Sequence, residues 1–323
     1  QMLSFKEDAF DAKIVSHTYT VVGKIIFEKP ITEIKEKAFF GCSSLIGVTI
    51  PDSVTKIGKD AFCDCNQFTS VTIPDSINTI GECAFCGCKS LAEFKGKFAS
   101  DDGHSLILDG VLNSFARAEI AEYTIPHGVT TIGELAFAGC ENLISVTIPD
   151  SVTTIGEWAF EGCENLISVT IGDSVTRIGE WAFCGCSSLA SVTIGDSVTT
   201  IGTCAFGKCT SLTSVTIPYS VTTIGVNAFR SCTSLTSVTI PDSVTTIGEW
   251  AFRNCKSLTS VTIGKSVSEI GKEVFKDCNI DTIVCCPKIP PKIDDSFDKF
   301  ENLIVPTGCE EAYANSDWGQ YLE

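Results

Sequence analysis

Apolar and polar positions along most of this chain follow a pattern that returns every 23 residues. In the unit 234–256 the apolar set is Leu235, Val238, Ile240, Val244, Ile247, Ala251, Phe252 and Cys255. Val238 and Ile240 alternate with Ser237 and Thr239, which predicts a strand with one buried and one wet face. Pro241-Asp242-Ser243 has the composition of a turn. Val244 to Ile247 predicts a second short extended piece, and Gly248 permits a bend. Glu249 to Cys255 then predicts a helical turn or tight loop that brings the chain back.

Marker phenylalanines fall at Phe39, Phe62, Phe85, Phe137, Phe160, Phe183, Phe206, Phe229, Phe252 and Phe275. One such unit cannot bury its apolar side alone, so it must stack on a neighbour. The expectation is a mainly β solenoid of parallel stacked strands with 23-residue rungs. A single gap, from Phe85 to Phe137, spans 52 residues, two units plus six. Within it, Leu106 to Leu112 contains Asp109-Gly110, a hairpin turn signal. One modified rung, about 92–121, is expected there with a protruding hairpin insertion.

The two ends depart from the pattern. Residues up to about Val22 fit poorly, whereas Ile25, Phe27, Ile31 and Ile34 match the inward positions. The period fails after Cys278, and the segment from Cys285-Cys286-Pro287 to Trp318 reads as a cap with a short terminal helix. The expected division is an N-terminal cap over 1–24, a solenoid over 25–280 and a C-terminal cap over 281–323.

A formal charge of −17 argues against nucleic acid, which requires basic patches. Between Ala118 and Trp250 only Arg177, Lys208 and Arg230 are basic, against 13 acidic residues. This excess keeps a stacked array soluble, or invites an electropositive partner. No apolar run approaches the roughly 18 residues of a membrane span. The start of the chain has no signal-peptide features, so any export signal or anchor is expected outside it. Of the 18 cysteines, ten follow a marker phenylalanine by three residues, from Cys42 to Cys278. In-register side chains about 4.8 Å apart hold their Cβ atoms too far apart for a disulfide. The column therefore reads as a reduced core ladder. Two positions stay open: a zinc site at the Cys-x-Cys pairs Cys63/Cys65 and Cys86/Cys88, and a bridge from Cys309 to Cys285 or Cys286.

The pattern Leu-x-x-Val-x-Ile-Pro-x-x-Val-x-x-Ile-Gly-x-x-Ala-Phe-x-x-Cys closely resembles the BspA-like, treponemal-type leucine-rich repeat, over about residues 25–280. The segment with Asp109-Gly110 and the ending Leu303 to Trp318 resemble a variant unit and a terminal segment of the same family. That resemblance implies a right-handed leucine-rich-repeat solenoid on the bacterial surface or secreted. It implies adhesion to host matrix proteins or other bacteria, and no enzymatic role or cofactor.

Two candidate surfaces follow from the repeat. The outward strand positions form a Ser row, Ser145, Ser168, Ser191, Ser214 and Ser237, and a Thr row, Thr147, Thr170, Thr193, Thr216 and Thr239. Both suit an ordinary wet β face, and equally a hydroxyl lattice for weak, multivalent docking. Trp158, Trp181 and Trp250 share one column two residues before the marker. They either cover the turns or stack against a sugar or protein anchor. The neighbouring Glu column lacks the converging directions of a calcium site. His17, His104 and His127 fall in no triad or metal motif. The expected function is a monomeric, non-enzymatic, extracellular or cell-surface binding protein for a protein or glycan, without cofactor. The alternative is a structural spacer with no ligand of its own.

Overall fold

A computed structural model describes residues 8–18, 24–117 and 119–321. The chain divides into two compact units, Gln1–Ile120 with Thr131–Ala138, and Ala121–Thr130 with Gly139–Glu323. Each is a stack of rungs held by parallel pairing at the repeat interval, so the predicted solenoid is present.

In the second unit, Ser145–Ile148 pairs with Ser168–Ile171, and Ser145, Val146, Thr147 and Ile148 lie opposite Ser168, Val169, Thr170 and Ile171. A second strand row runs through Thr154–Ile155, Arg177–Ile178, Thr200–Ile201, Thr223–Ile224, Thr246–Ile247 and Glu269–Lys272, again in register. The third side is not helical. It is a chain of tight turns in which alternate N–H groups point at the following rung. Trp158 N–H donates to Glu180 O at 2.9 Å, Phe160 to Ala182 O at 2.7 Å and Gly162 to Cys184 O at 2.8 Å. Left-handed backbone two residues before and two after the marker phenylalanine turns these N–H groups one way, at φ 51° for Trp158 and 65° for Gly162.

The core explains why register is strict. Phe160 and Phe183 stack with ring centroids 5.0 Å apart and planes 5° apart, and the series continues through Phe206, Phe229, Phe252 and Phe275 at 5.2–5.4 Å. A shift by one residue would expel every phenylalanine from this stack. The cysteine column closes the same layer. Cys209 Sγ donates to Phe183 O at 3.3 Å and Cys232 Sγ to Phe206 O at 3.2 Å, each reaching back to the preceding rung. Cys285, Cys286 and Cys309 are free thiols.

Stacking continues beyond the point where the sequence period fails. Phe297 lies 5.2 Å from Phe275 at 9°, only 22 residues on, and Phe300 stands where a column cysteine would be. Thr282–Cys285 and Asn302–Ile304 extend the strand face. The expected terminal helix is Glu310–Ala314. It fixes Tyr313, whose hydroxyl donates to Pro287 O at 2.7 Å, and a following turn places Trp318 Nε1 2.8 Å from Pro291 O. Both rings are fully buried against the last rung. The Asp298 carboxylate accepts the Asp277 N–H at 2.7 Å, where the equivalent N–H of Asn254 reaches a main-chain carbonyl, Lys276 O at 2.8 Å.

In the first unit, Phe39, Phe62 and Phe85 stack at 5.1 and 5.2 Å. Phe10 meets Phe39 edge-on at 5.7 Å and closes that end. Residues 1–7 and 19–23 of the expected N-terminal cap lie outside the described residues. Lys24–Phe27 pairs antiparallel with Ile14–Thr18 rather than stacking as a rung strand. The hairpin is present as Ser105–Leu108 and Val111–Phe115, with Asp109 at φ 51° and Gly110 at φ 77°. Both positive angles are those of the two-residue turn that Asp-Gly favours. It does not protrude as expected. Leu106, Leu112 and Phe115 are buried, Val111 and Leu112 pair with Thr131 and Ile132, and Phe115 meets Phe137 at 4.5 Å. The insertion is therefore folded into the stack, because its alternate residues are apolar and complete the core layer.

Candidate functional site

The hydroxyl rows lie where the repeat places them, but they are not continuous. Ser145, Ser168 and Ser191 are consecutive partners, as are Thr147, Thr170 and Thr193. Ser237 and Thr239 begin a second set, paired with Ser260 and Thr262. Between the two sets, Ser214 to Ile217 forms no strand. Val215 there is half-buried, whereas Val192 and Val238 are buried. Gly172 donates its N–H to Ile148 O at 2.9 Å, a bond that Pro218 and Pro241 cannot make; Pro126 and Pro149 lack it too, yet Glu122–Thr124 pairs with Ser145–Thr147. Thr147, Thr170, Thr193, Thr216 and Thr239 are exposed, with Ser191, Ser214 and Ser237; Ser145 and Ser168 are half-buried. The expectation of one unbroken lattice is thus corrected to two patches.

Trp158, Trp181 and Trp250 are all half-buried on the turn side, and all have left-handed backbone, at φ 51°, 58° and 56°. The conformation belongs to the column rather than to tryptophan. Lys37, Asp60, Cys83, Leu135, Cys204, Asn227 and Glu273 occupy the same position at φ 50–58°. No glycine appears among the ten, although glycine alone adopts this region freely. Trp250 Nε1 is buried without a hydrogen-bond partner. That indole is packed on the stack, whereas Trp158 and Trp181 form an adjacent pair one rung apart.

The structure adds a feature not singled out from the sequence. Ile144 and Ile167, at the head of the first hydroxyl patch, are 41% and 49% exposed. With Glu141, Asn142, Asn165 and Ser188 they line a shallow groove of about 340 Å³. Asn165 Nδ2 donates to Glu141 O at 2.8 Å and fixes its rim. The signal was present in the sequence: these two rungs read Glu-Asn-Leu-Ile, where later rungs place Ala190, Thr213, Thr236 and Thr259 after the buried leucine.

Among the described residues, no group of three or more His, Cys, Asp or Glu side chains is arranged to hold a metal. Burial pushes the Cys232 thiol up to about 12, and the fully buried Cys163 and Cys209 are raised well above the usual range for the same reason. Such thiols are poor nucleophiles near neutral pH. No helix among the described residues is long and apolar enough to cross a membrane.

Comparison with known proteins places this architecture. A leucine-rich repeat protein from Eubacterium ventriosum is 24% identical, with 77% of this chain and 83% of that one aligned at a TM-score of 0.61. The pneumococcal vaccine antigen PcpA is 18% identical over 89% of this chain and 75% of its own, with a TM-score of 0.53. A leucine-rich cell surface protein from Faecalibacterium prausnitzii is 27% identical over 92% of this chain and 87% of its own, at 0.48. A search of curated proteins finds no match. The model of the BspA type leucine-rich repeat region matches in six copies, over residues 16–99, 112–232 and 186–304. With stacked phenylalanines, in-register strands and this coverage, the chain belongs to the BspA-type leucine-rich repeat family.

Proposed function

We propose that this chain is an exported, non-enzymatic binding protein of the cell surface or its surroundings, acting as a monomer on an extracellular protein or glycan. Residues 25–280 serve as the binding array, with 1–24 and 281–323 as its caps. The observation that carries this reading is the pair Ile144 and Ile167. Two branched apolar side chains exposed in adjacent rungs line a groove with Glu141, Asn142, Asn165 and Ser188, and each immediately precedes a strand of the first hydroxyl patch in the chain. An apolar floor beside convergent polar groups is the usual composition of a recognition site. Trp158 and Trp181 supply a second contact on the turn side of the same array.

The test is capture on an array of immobilised matrix proteins and glycans, with wild type, Ile144→Ser/Ile167→Ser and Trp158→Ala/Trp181→Ala. The isoleucine pair is expected to weaken capture at least about tenfold, the loss of roughly 1.4 kcal/mol, with the melting temperature nearly unchanged. A second reading, a spacer with no ligand, draws on the near-identity of the rungs and the phenylalanine stack of the second unit. It predicts wild-type silence across the array and a function that follows rung number alone.

A further inference from the structure

Eight cysteines stand outside the core column, and four of them occupy a recurrent cross-rung position. One residue after a marker phenylalanine and two residues before the next lie 20 residues apart in sequence and face each other across neighbouring rungs. Arg253 and Glu273 hold these two positions and are ion-paired through Arg253 Nη1 and Glu273 Oε2. The Phe252 N–H, donating to Val274 O at 3.0 Å, ties together the residues beside them. Cys184 and Cys204 hold the same two positions, with Phe183 N–H donating to Ala205 O at 2.8 Å. Cys63 and Cys83 hold the same two positions in the first unit, with Phe62 N–H donating to Ala84 O at 2.8 Å and the Cys83 thiol also reaching Glu134 O at 3.6 Å.

Gly207 lies beside both Cys184 and Cys204. Gly207 has no side chain, and a Cβ there would sit 3.6 Å from Cys184 Sγ and 3.4 Å from Cys204 O. Both thiols lie just under the surface, 5% and 7% exposed, and Cys63 is half-buried. Burial, then the neighbouring Cys204, holds the Cys184 thiol up to about 11. Two thiols of the core column differ from Cys184 and Cys204. Cys209 and Cys232 are fully buried, each is engaged with a phenylalanine carbonyl, and in-register stacking keeps their Cβ atoms apart.

We propose that Cys184–Cys204 and Cys63–Cys83 are disulfide-forming pairs that join neighbouring rungs along the turn side, while the core column stays reduced. The oxidant is a low-molecular-weight disulfide such as oxidised glutathione. One cysteine of a pair attacks it as thiolate, forms a mixed disulfide and releases one reduced thiol. The second cysteine attacks the protein sulfur of that mixed disulfide and releases the other. Two protons and two electrons leave the pair, and one oxidant disulfide becomes two thiols.

Peptide mapping of the full chain after incubation with oxidised glutathione, without reduction, tests this directly. The expected result is two internal links, Cys184–Cys204 and Cys63–Cys83, each lowering the mass by about 2 Da as two hydrogens leave. Links that close short loops also raise the melting temperature, here by about 2–4 °C, reversibly on reduction. Cys204→Ser should abolish the first link and its share of the shift, and Cys209→Ser should leave both links in place. A Cys83–Cys86 link in place of Cys63–Cys83 would overturn the assignment in the first unit. Links between core-column cysteines, or thiols at Cys184 and Cys204 that remain open to alkylation, would overturn the proposal.

Discussion

The strand face and the turn side of the second unit are built from the same rungs, yet they behave oppositely. On the strand face the residues scarcely change from rung to rung, Ser-Val-Thr-Ile at 145–148, 168–171, 191–194, 214–217 and 237–240, but the strand is interrupted at Ser214 to Ile217. On the turn side the residue two before the marker phenylalanine is tryptophan, cysteine, asparagine or glutamate, and φ nevertheless stays at 50–58° from Trp158 to Glu273. Conformation here does not follow the local side chain. It follows the N–H groups donated to the next rung and the phenylalanine stack beneath them. The Cys204, Asn227 and Trp250 N–H groups make the same bond as Trp158, at 2.9, 2.9 and 3.0 Å. The strand face instead loses its pairing at Ser214 to Ile217, whose residues are the same as those of the paired segments.

The comparison can be broken most severely through the shared core. Phe206 is fully buried between Phe183 and Phe229. Phe206→Ala should cost about 3–5 kcal/mol in denaturant unfolding and loosen both faces together. A loss confined to one face would separate what the phenylalanine stack is said to join.

Alkali offers a graded version of the same test. The Cys232 thiol ionises at about 12 when folded, against 9.0 for the free group, and the Cys163 and Cys209 thiols are also raised. The unfolded chain therefore releases these protons first as pH rises. The stabilisation is complete below pH 9.0 and declines as pH climbs toward about 12. Unfolding midpoints should fall across that window, and a cysteine-to-valine variant in the column should fall less steeply.

Strain on the turn side sharpens the comparison on a smaller scale. Trp181→Gly and Trp181→Ala remove the same indole, but only glycine accepts φ 58° without strain. The glycine variant should be the more stable by roughly 1 kcal/mol. Equal stability would show that the left-handed column carries no strain. The smallest effect is expected on the strand face. Thr193→Val retains a β-branched, exposed side chain and should change stability by about 0.5 kcal/mol or less.

The repeat interval made the fold readable. A strict 23-residue spacing names the stacked residues before any coordinate does. What escaped were the places where the interval slips by one. Phe115 and Phe297 each lie 22 residues from the next or preceding marker, so counting passed over them although both join the core. The left-handed column was hidden for a different reason. Tryptophan and lysine carry no turn signal, since the conformation is imposed by the neighbouring rung. The hydroxyl rows were readable as positions but not as a continuous surface, because Ser214 to Ile217 carry the same residues as the paired segments on either side. The Ile144 and Ile167 groove was visible only as a departure from the consensus, which is where a repeat array records a site.

Residue-resolved hydrogen exchange across the second unit tests most directly the claim that inter-rung donation, rather than local sequence, sets this structure. The amides of Trp158, Trp181, Cys204, Asn227 and Trp250 should all be strongly protected, and those of Ser214 to Ile217 should exchange much faster than their counterparts at 168–171 and 260–263. Equal protection of the strand-face amides from Ser191 to Ile240, or rapid exchange along the tryptophan column, would contradict it.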